Sequence, residues 1–221
     1  MRNLVIGKGE IGRVLMSIFE CPGVDKNETV EGNYDIIHVA FPYSKDFISE
    51  VRKYQDLYKP KYTVIHSTVK PGTSRELGAT HSPVIGLHPH LKESLKSFTK
   101  YLSGEKASEI ADIFRRAGIK VYLFDKPETT ELMKILDTTF YGLCIEYTKN
   151  IREQCKELDI PFEAWTIWTE NYNQGYQKLG YSEYTRPNLV PIMTKQGGHC
   201  TVPNLELVDT VFTRFLKLMN K

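Results

Sequence analysis

The chain lacks the features that mark several classes of protein. Its 221 residues include only four cysteines, which form no CxxC pair and show no zinc-ligand spacing: Cys21, Cys144, Cys155 and Cys200. No apolar run approaches the roughly 20 residues of a membrane-spanning helix, and the N-terminus has no signal-peptide pattern. We therefore expect a reducing, cytoplasmic compartment, no bound metal and no membrane partner.

The chain also has little excess of charge of either sign. Lysine and arginine number 29 against 27 acidic residues, a net charge of +2, and the basic residues do not cluster as a nucleic-acid-binding surface requires. Apolar residues make up 41% and charged residues 25%, which is ordinary for a globular protein. We expect a small-molecule substrate and no nucleic-acid partner.

Strand and helix patterns alternate through the first part of the chain. Short apolar runs bounded by turn residues predict strands at 3–7, 34–42, 62–68, 82–89 and 119–124. Helical spacing of apolar residues predicts helices over 44–58 and 104–118. This alternation predicts an α/β fold with a Rossmann-like parallel sheet, helices on both faces and right-handed crossovers.

The pattern changes to helices alone after about residue 126. Helical spacing predicts three helices, over 128–158, 160–180 and 204–219. The first would be roughly 45 Å long at 1.5 Å per residue, too long for one small domain to cover. We divide the chain into a Rossmann-like domain, 1–126, and an all-helical domain, 127–221, and expect the long helix to form a homodimer with a second copy.

A GxGxxG motif lies between the first predicted strand and the first helix. Gly7 would permit the tight turn, Gly9 the close approach of a pyrophosphate, and Gly12 the close packing of helix on strand. The helix N-terminus, at Glu10 and Ile11, offers N–H groups and partial positive charge to that anion. The motif predicts an NAD- or NADP-binding site at these five residues; the alternative is a tight turn without a ligand.

The segment after this motif is shorter than a complete dinucleotide fold requires. Only 21 residues separate Gly12 from Tyr34, so we expect the second strand to be very short or absent and the sheet to be abbreviated. An acidic residue about 20 residues past the motif normally binds the ribose. Asp25 is the candidate for that role, and the alternative is a solvated loop aspartate.

Four segments, taken in order, resemble the UDP-glucose/GDP-mannose dehydrogenase family. They are HVAFPYS (38–44), IHSTVKPGTSREL (65–77), ETTELMKILDTTF (128–140) and GGHCTVP (197–203). The resemblance implies an NAD(P)-dependent oxidoreductase acting on a nucleotide-sugar alcohol, with a Rossmann domain followed by a helical dimerisation domain. The family's third, nucleotide-binding domain has no counterpart here, so we expect a shortened relative.

The resemblance also implies roles for individual residues. Cys200 matches the family's catalytic thiol, which attacks the aldehyde made by the first oxidation. Lys134 matches the lysine that stabilises the oxyanion or assists proton transfer. Thr68 matches a residue near the nicotinamide and the catalytic water. The loops beside the cofactor are those that contain Pro42, Tyr43, Ser67 and Thr68.

Three departures from the family pattern favour a simpler reaction. A family asparagine is Thr138 here, a carboxylate is Val84, and an acidic residue after the cysteine is Asn204. These changes favour a two-electron alcohol oxidation over the family's four-electron reaction. Two alternatives stay open: a prephenate- or β-hydroxy-acid-type dehydrogenase that uses His88 or Lys134 for proton transfer, and an inactive dimeric binding protein. For Cys200 the alternative is a buried, inert thiol.

Overall fold

A computed structural model describes residues 1–87, 89–190 and 203–220. The chain forms two compact units, unit 1 (Met1–Ile135) and unit 2 (Leu136–Lys221), which divide inside a long helix. The expected domain boundary at 126/127 stays a prediction. No helix in the described part of the chain combines the length and the apolar character needed to cross a membrane.

Unit 1 contains one seven-stranded sheet. Its strands are β1 (Asn3–Ile6), β2 (Gly23–Val24), β3 (Ile36–Val39), β4 (Tyr62–Ile65), β5 (Thr80–His81), β6 (Lys100–Ser103) and β7 (Val121–Phe124). The strand order is β2-β1-β3-β4-β5-β6-β7, and all neighbours are parallel except the antiparallel pair β5–β6. The predicted α/β, Rossmann-like fold is confirmed, and its second strand has only two residues.

Eight α-helices lie within the described residues. They are α1 (Glu10–Phe19), α2 (Phe47–Tyr58), α3 (Thr73–Glu76), α4 (Leu91–Ser97), α5 (Ala107–Arg116), α6 (Pro127–Glu157), α7 (Glu163–Lys178) and α8 (Val211–Met219). The expected helices over 44–58, 104–118, 128–158 and 160–180 are thus present as α2, α5, α6 and α7. The short helices α3 and α4 were not predicted.

Helices cover both faces of the sheet in unit 1. Phe114 of α5 packs with Ile36 and Val64 on one face, and Phe47 of α2 packs with Val39 on the other. Successive side chains of a strand point to opposite faces, so strands buried on both sides read as continuous apolar runs. That is why β1, β3 and β4 are readable from the sequence.

The predicted strand over 82–89 is wrong. The strand here is β5, and the Ser82 N–H makes the next hydrogen bond, to the Ile65 carbonyl at 2.8 Å. Pro83 has no N–H to continue the ladder, so the chain leaves the sheet. The apolar character of the segment reflects Val84, which is buried against α1 and α4.

The predicted helix over 204–219 is too long at its start. A 3₁₀ turn occupies Pro203–Glu206, and α8 begins only at Val211. Thr210 caps α8: its hydroxyl accepts the Thr213 N–H at 3.1 Å while the Thr213 hydroxyl accepts the Thr210 N–H at 2.9 Å. This reciprocal cap fixes the helix start where apolar periodicity alone placed it earlier.

Candidate functional site

The glycine motif forms a tight elbow between β1 and α1. Gly7 has φ of +102°, and a Cβ there would lie 3.0 Å from the backbone of Ala40 and Phe41. A Cβ at Gly12 would lie 1.8 Å from the Gly7 carbonyl oxygen. The turn at Gly7 and the close packing at Gly12 therefore require glycine for the reasons the motif predicts.

Gly9 differs from these two glycines because space lies open beside it. A Cβ at Gly9 would meet no atom within 4 Å, and its φ of −66° is one that any residue adopts. Gly9 precedes α1 and supplies no side-chain cap. The positive end of the helix dipole is thus left for an anion that approaches the elbow.

The predicted cofactor residues gather at the carboxyl edge of the sheet. The elbow follows β1, Pro42 and Tyr43 follow β3, and Ser67 and Thr68 follow β4, and these three strands are adjacent and parallel. From β1 the chain goes to β2 on one side and then to β3 on the other. The crevice at such a switch point is where open α/β sheets bind ligands.

A charged turn follows the short strand β2. Asp25 comes directly after Val24, and its Oδ1 accepts the Lys26 N–H at 2.9 Å. The Glu28 carboxylate accepts the Asp25 N–H at 3.0 Å through Oε2 and binds the Lys8 ammonium through the same oxygen. Lys8 lowers the pKa of Glu28, so this carboxylate is ionised at neutral pH.

Glu131 of α6 fixes the loop after β4. Its carboxylate accepts the N–H groups of Gly72 at 2.7 Å and Ser74 at 2.8 Å, and it is fully buried. Burial raises the pKa of Glu131. The Glu128 carboxylate binds the Arg75 guanidinium through two hydrogen bonds, which fastens the start of α6 to α3.

Lys134 lies one helical turn after Glu131 and is half-buried. Burial is the main cause that lowers the pKa of His81 and of Lys100, and the positive charge of Lys134 lowers both further, so Lys134 acts on groups at the β5 and β6 positions of the sheet. Lys134 therefore belongs to the same unit as the glycine elbow.

A chain of buried polar groups crosses the sheet beneath this edge. The Asn3 side chain lies 3.1 Å from His38 Nε2, His38 Nδ1 lies 3.0 Å from His66 Nε2, and His66 Nδ1 lies 3.0 Å from the Ser82 carbonyl oxygen. Lys100 Nζ donates to the same oxygen at 2.7 Å and to the Pro83 carbonyl at 2.8 Å.

The hydrogen-bond partners assign the tautomers of this chain. The Ser82 carbonyl only accepts, so His66 Nδ1 carries the proton and His66 Nε2 accepts from His38 Nδ1–H. His38 Nε2 must then accept, so the Asn3 atom that faces it at 3.1 Å, placed as Oδ1, is assigned as the NH₂ group instead. Burial lowers the pKa of His38 to about 3 and holds that of His66 well below its usual range, so both rings are neutral.

His81 forms a second buried link to the cofactor loop. Its Nε2 donates to the Ser67 carbonyl at 3.1 Å, and its Nδ1 accepts from the Thr130 hydroxyl at 2.7 Å. Burial lowers the pKa of His81 to about 3. The Ser67 hydroxyl donates to the Phe41 carbonyl at 2.5 Å, so the loops after β3 and β4 are tied together.

Sequence reasoning missed these buried groups and Glu131. The available signal was a histidine inside or directly after three successive strand patterns, in DIIHVA, VIHST and ATHSP. Their partners are 28, 16 and 49 residues away in the sequence, beyond the reach of local periodicity. Glu131 could have been suspected as an acidic residue on the buried side of the long helix.

Two predicted catalytic residues, Cys200 and His88, lie outside the described residues. The structure brings together Gly7, Gly9, Glu10, Ile11, Gly12, Pro42, Tyr43, Ser67 and Thr68 at one edge. Their cofactor-binding roles, and the catalytic roles of Lys134 and Thr68, stay predictions. Within 1–87, 89–190 and 203–220, no group of three His, Cys, Asp or Glu side chains could hold a metal ion.

The residues present at this edge fit a dinucleotide. The open space beside Gly9 and the N-terminus of α1 suit a pyrophosphate, and Asp25 lies where a ribose-binding acid is expected. NAD or NADP would therefore be held by the elbow, the turn after β2 and the loops after β3 and β4.

No family model matches the chain. A search of curated protein sequences also finds no match.

Several solved structures share the fold of this chain, and two of the three described here are dehydrogenases. UDP-D-ManNAc dehydrogenase from Pyrococcus horikoshii superposes with a TM-score of 0.80 at 14% identity, over 100% of this chain and 68% of that one. The 3-hydroxyisobutyrate dehydrogenase of Mycobacterium tuberculosis gives 0.68 at 12%, over 100% and 93%. A protein named Psf3, in complex with NADP+ and 2-OPP, gives 0.59 at 13%, over 98% and 92%.

Proposed function

We propose that the chain is an NAD(P)-dependent dehydrogenase that oxidises an alcohol carbon. The observation that carries this proposal is the open elbow at Gly9, at the switch point of a parallel sheet. The bound nicotinamide would accept a hydride from the alcohol. The dehydrogenase folds that the chain resembles support the same class of reaction.

The residues of unit 1 hold and orient the cofactor in this proposal. The start of α1 binds the pyrophosphate, because Gly9 lets the phosphates approach the helix N–H groups. Ser67 is fixed from two sides, by its own bond to the Phe41 carbonyl at 2.5 Å and by the bond from His81 at 3.1 Å. A loop held in this way can present a constant surface to the nicotinamide end.

Lys134 is the proposed group for the substrate hydroxyl. Oxidation of an alcohol removes a hydride from the carbon and a proton from the hydroxyl. The Lys134 side chain in its neutral amine form would accept that proton while the hydride passes to the nicotinamide, so that the alcohol becomes a carbonyl. The neighbouring Glu131 is occupied by the Gly72 and Ser74 N–H groups, which keeps it from competing for the substrate. Cys200 and His88 remain candidates for further steps.

Two of the structural matches each support a candidate substrate class. UDP-D-ManNAc dehydrogenase supports a nucleotide sugar, and the departures at Thr138 and Val84 favour a single two-electron step. The second candidate is a β-hydroxy acid. The match to 3-hydroxyisobutyrate dehydrogenase, which covers 93% of that protein, supports it.

Calorimetric titration of NAD and NADP tests the cofactor claim. We expect at least one to bind the wild-type chain, and Gly9→Ala to weaken binding by about ten-fold or more, because the added methyl occupies the pyrophosphate's approach. Gly175→Ala is the matched control: its Cβ also meets nothing within 4 Å, but it lies on α7 in unit 2. Absence of binding by either dinucleotide would leave the inactive dimeric protein as the better description.

A panel of alcohols then separates the two substrate candidates. UDP-sugars are expected to support NAD(P) reduction if the nucleotide-sugar proposal is right, and short β-hydroxy acids if the second candidate is right. Lys134→Met should lower kcat in either case. Lys126→Met, a lysine on the surface of the same unit just before α6, serves as the control.

The proposal includes a homodimer through the helices of unit 2. Large apolar side chains are exposed there, including Phe140 at 58% and Trp168 at 68%. Burying such side chains against a second copy would remove them from water. Cys21, Cys144 and Cys155 are free thiols, which supports the cytoplasm as the proposed compartment.

A further inference from the structure

Lys8 lies at the position where the structure would meet the adenosine ribose. It sits between Gly7 and Gly9, and the Gly7 N–H donates to the Val24 carbonyl at 2.8 Å, so the elbow and the end of β2 touch. The Lys8 ammonium binds the same Glu28 oxygen that accepts the Asp25 N–H. This ammonium is therefore next to the first residue after β2, where the ribose 2′ position is read in dinucleotide folds.

An uncommitted lysine at that position would favour NADP. The 2′-phosphate that distinguishes NADP from NAD is an anion, and an ammonium binds it as a point charge. In this chain the ammonium is already paired with Glu28. A 2′-phosphate would have to displace that carboxylate and also approach Asp25, which carries a second negative charge.

The short connection between β2 and β3 brings the Glu28 carboxylate next to Lys8. Because β2 ends at Val24, the chain turns at once, and the Glu28 N–H donates to the Asp25 carbonyl at 2.9 Å. This turn folds the Glu28 side chain back over the strand end, where its carboxylate reaches both the Asp25 N–H and Lys8. Asp25 keeps its own place because its Oδ1 accepts the Lys26 N–H.

We propose that Glu28 selects NAD over NADP by holding Lys8 in an ion pair at the ribose 2′ position. The inference rests on the proposed function, because it concerns the cofactor of the same site. Glu28 acts as a positioning residue through Lys8, while Asp25 is the group that accepts a ribose hydroxyl. Removing the Glu28 charge frees Lys8 for a phosphate and leaves one carboxylate, that of Asp25, at the strand end.

Calorimetry with both dinucleotides on a set of variants tests this proposal. The wild-type chain should bind NAD about ten-fold more tightly than NADP. Glu28→Gln should lower the ratio of the NADP to the NAD dissociation constant by about five-fold, the size expected of one exposed charge pair. The double variant Lys8→Met, Glu28→Gln should return the ratio toward that of the wild type.

A charge-matched control separates this effect from net charge. Asp112→Asn removes one negative charge from an ion pair with Arg115 on α5, and it should leave the ratio unchanged. Higher salt should shrink the gain in Glu28→Gln, because exposed charges are screened.

The outcomes distinguish the two levels of the claim. If the wild type binds NADP as tightly as NAD, or if the ratio is the same in Glu28→Gln, the selection by Glu28 is wrong while the dehydrogenase proposal stands. A shift that persists in the double variant overturns the role of Lys8. If no variant binds either dinucleotide, the proposed function itself fails, and the selectivity fails with it.

Discussion

Unit 1 buries four titratable side chains that water normally solvates, whereas unit 2 exposes large aromatic side chains that are normally buried. His38, His66, His81 and Lys100 are all buried, and each has hydrogen-bond partners within unit 1. Phe140 and Trp168 of unit 2 are more than half exposed. These four buried side chains of unit 1 thus have internal partners, while the exposed aromatic side chains of unit 2 support the proposed dimer.

This difference in what each unit buries predicts which condition, pH or protein concentration, affects each unit. The groups that face one another in the buried network are three imidazoles and two ammonium groups, those of Lys100 and Lys134, and the causes of their pKa shifts include no carboxylate. Acid is therefore expected to destabilise unit 1, and dilution is expected to dissociate the dimer proposed for unit 2.

The largest expected effect is an acid destabilisation of unit 1. His38 and His81 have pKa values of about 3 in the folded chain and about 6.5 when unfolded. The unfolded state therefore binds their protons first, and stability falls as the pH drops below about 6.5 toward 3. Between pH 7 and pH 5 each should cost about 2 kcal/mol of unfolding free energy, and His66 acts in the same direction.

Urea unfolding followed by far-UV circular dichroism at pH 7, 6 and 5 measures this loss. Both tryptophans of the chain, Trp165 and Trp168, lie in unit 2, so their fluorescence reports that unit separately. His38→Gln should reduce the loss of unfolding free energy between pH 7 and pH 5 by about 2 kcal/mol, the contribution of one histidine. If the unfolding free energy is constant from pH 7 to pH 5, the claim that these imidazoles are buried in the neutral form is wrong.

The next largest effect compares two glycines of the elbow. Gly12→Ala should lose about 3 kcal/mol of unfolding free energy, because its methyl would overlap the Gly7 carbonyl and force the backbone apart. Gly9→Ala should change stability by less than about 0.5 kcal/mol, since its methyl enters open space. Thermal unfolding of both variants measures the contrast; equal losses would refute the distinction between a packing glycine and a ligand glycine.

A smaller effect is expected on the association of unit 2. Trp168→Glu should weaken the proposed dimer by about 2 kcal/mol, the scale of an interface hot spot. Multi-angle light scattering across a dilution series at micromolar concentration measures it, with Glu170→Gln on the same helix as the control. A wild-type chain that is monomeric at these concentrations would contradict the dimer.

The smallest effect is a gain within unit 2. Gly175 is an interior residue of α7 with no neighbour in the space that a methyl would occupy. Gly175→Ala should therefore raise the unfolding free energy of unit 2 by about 1 kcal/mol through helix propensity. Tryptophan fluorescence during urea unfolding reports the change, and a loss of stability would show that Gly175 makes a contact with a partner.

Local patterns predicted the parts of the fold that depend on neighbouring residues. The β1–elbow–α1 unit and the long helix α6 were predicted because strand runs, glycine spacing and helical periodicity act over short stretches. The strand β6 was missed because KYLS is short and half polar, and because it pairs with β7 and only briefly with β5. The strand predicted over 82–89 was wrong because the apolar Val84 packs against α1 and α4 and does not pair in the sheet.

The candidate site divides in the same way. The candidate cofactor residues all follow strands of a parallel sheet, so their position at one edge could be predicted from the sequence. The partners of His38 and His66, and the two N–H groups bound by Glu131, join elements far apart in the sequence. Only the three-dimensional structure shows which distant groups form hydrogen bonds with the polar residues inside these apolar runs.

The most direct test of the cofactor site is hydrogen–deuterium exchange with and without saturating dinucleotide. We expect slower exchange at the N–H groups of 7–13, 40–43 and 67–73 when NAD or NADP is bound, with little change across α7. Binding that protects none of these three segments, or protects only the helices of unit 2, would contradict it.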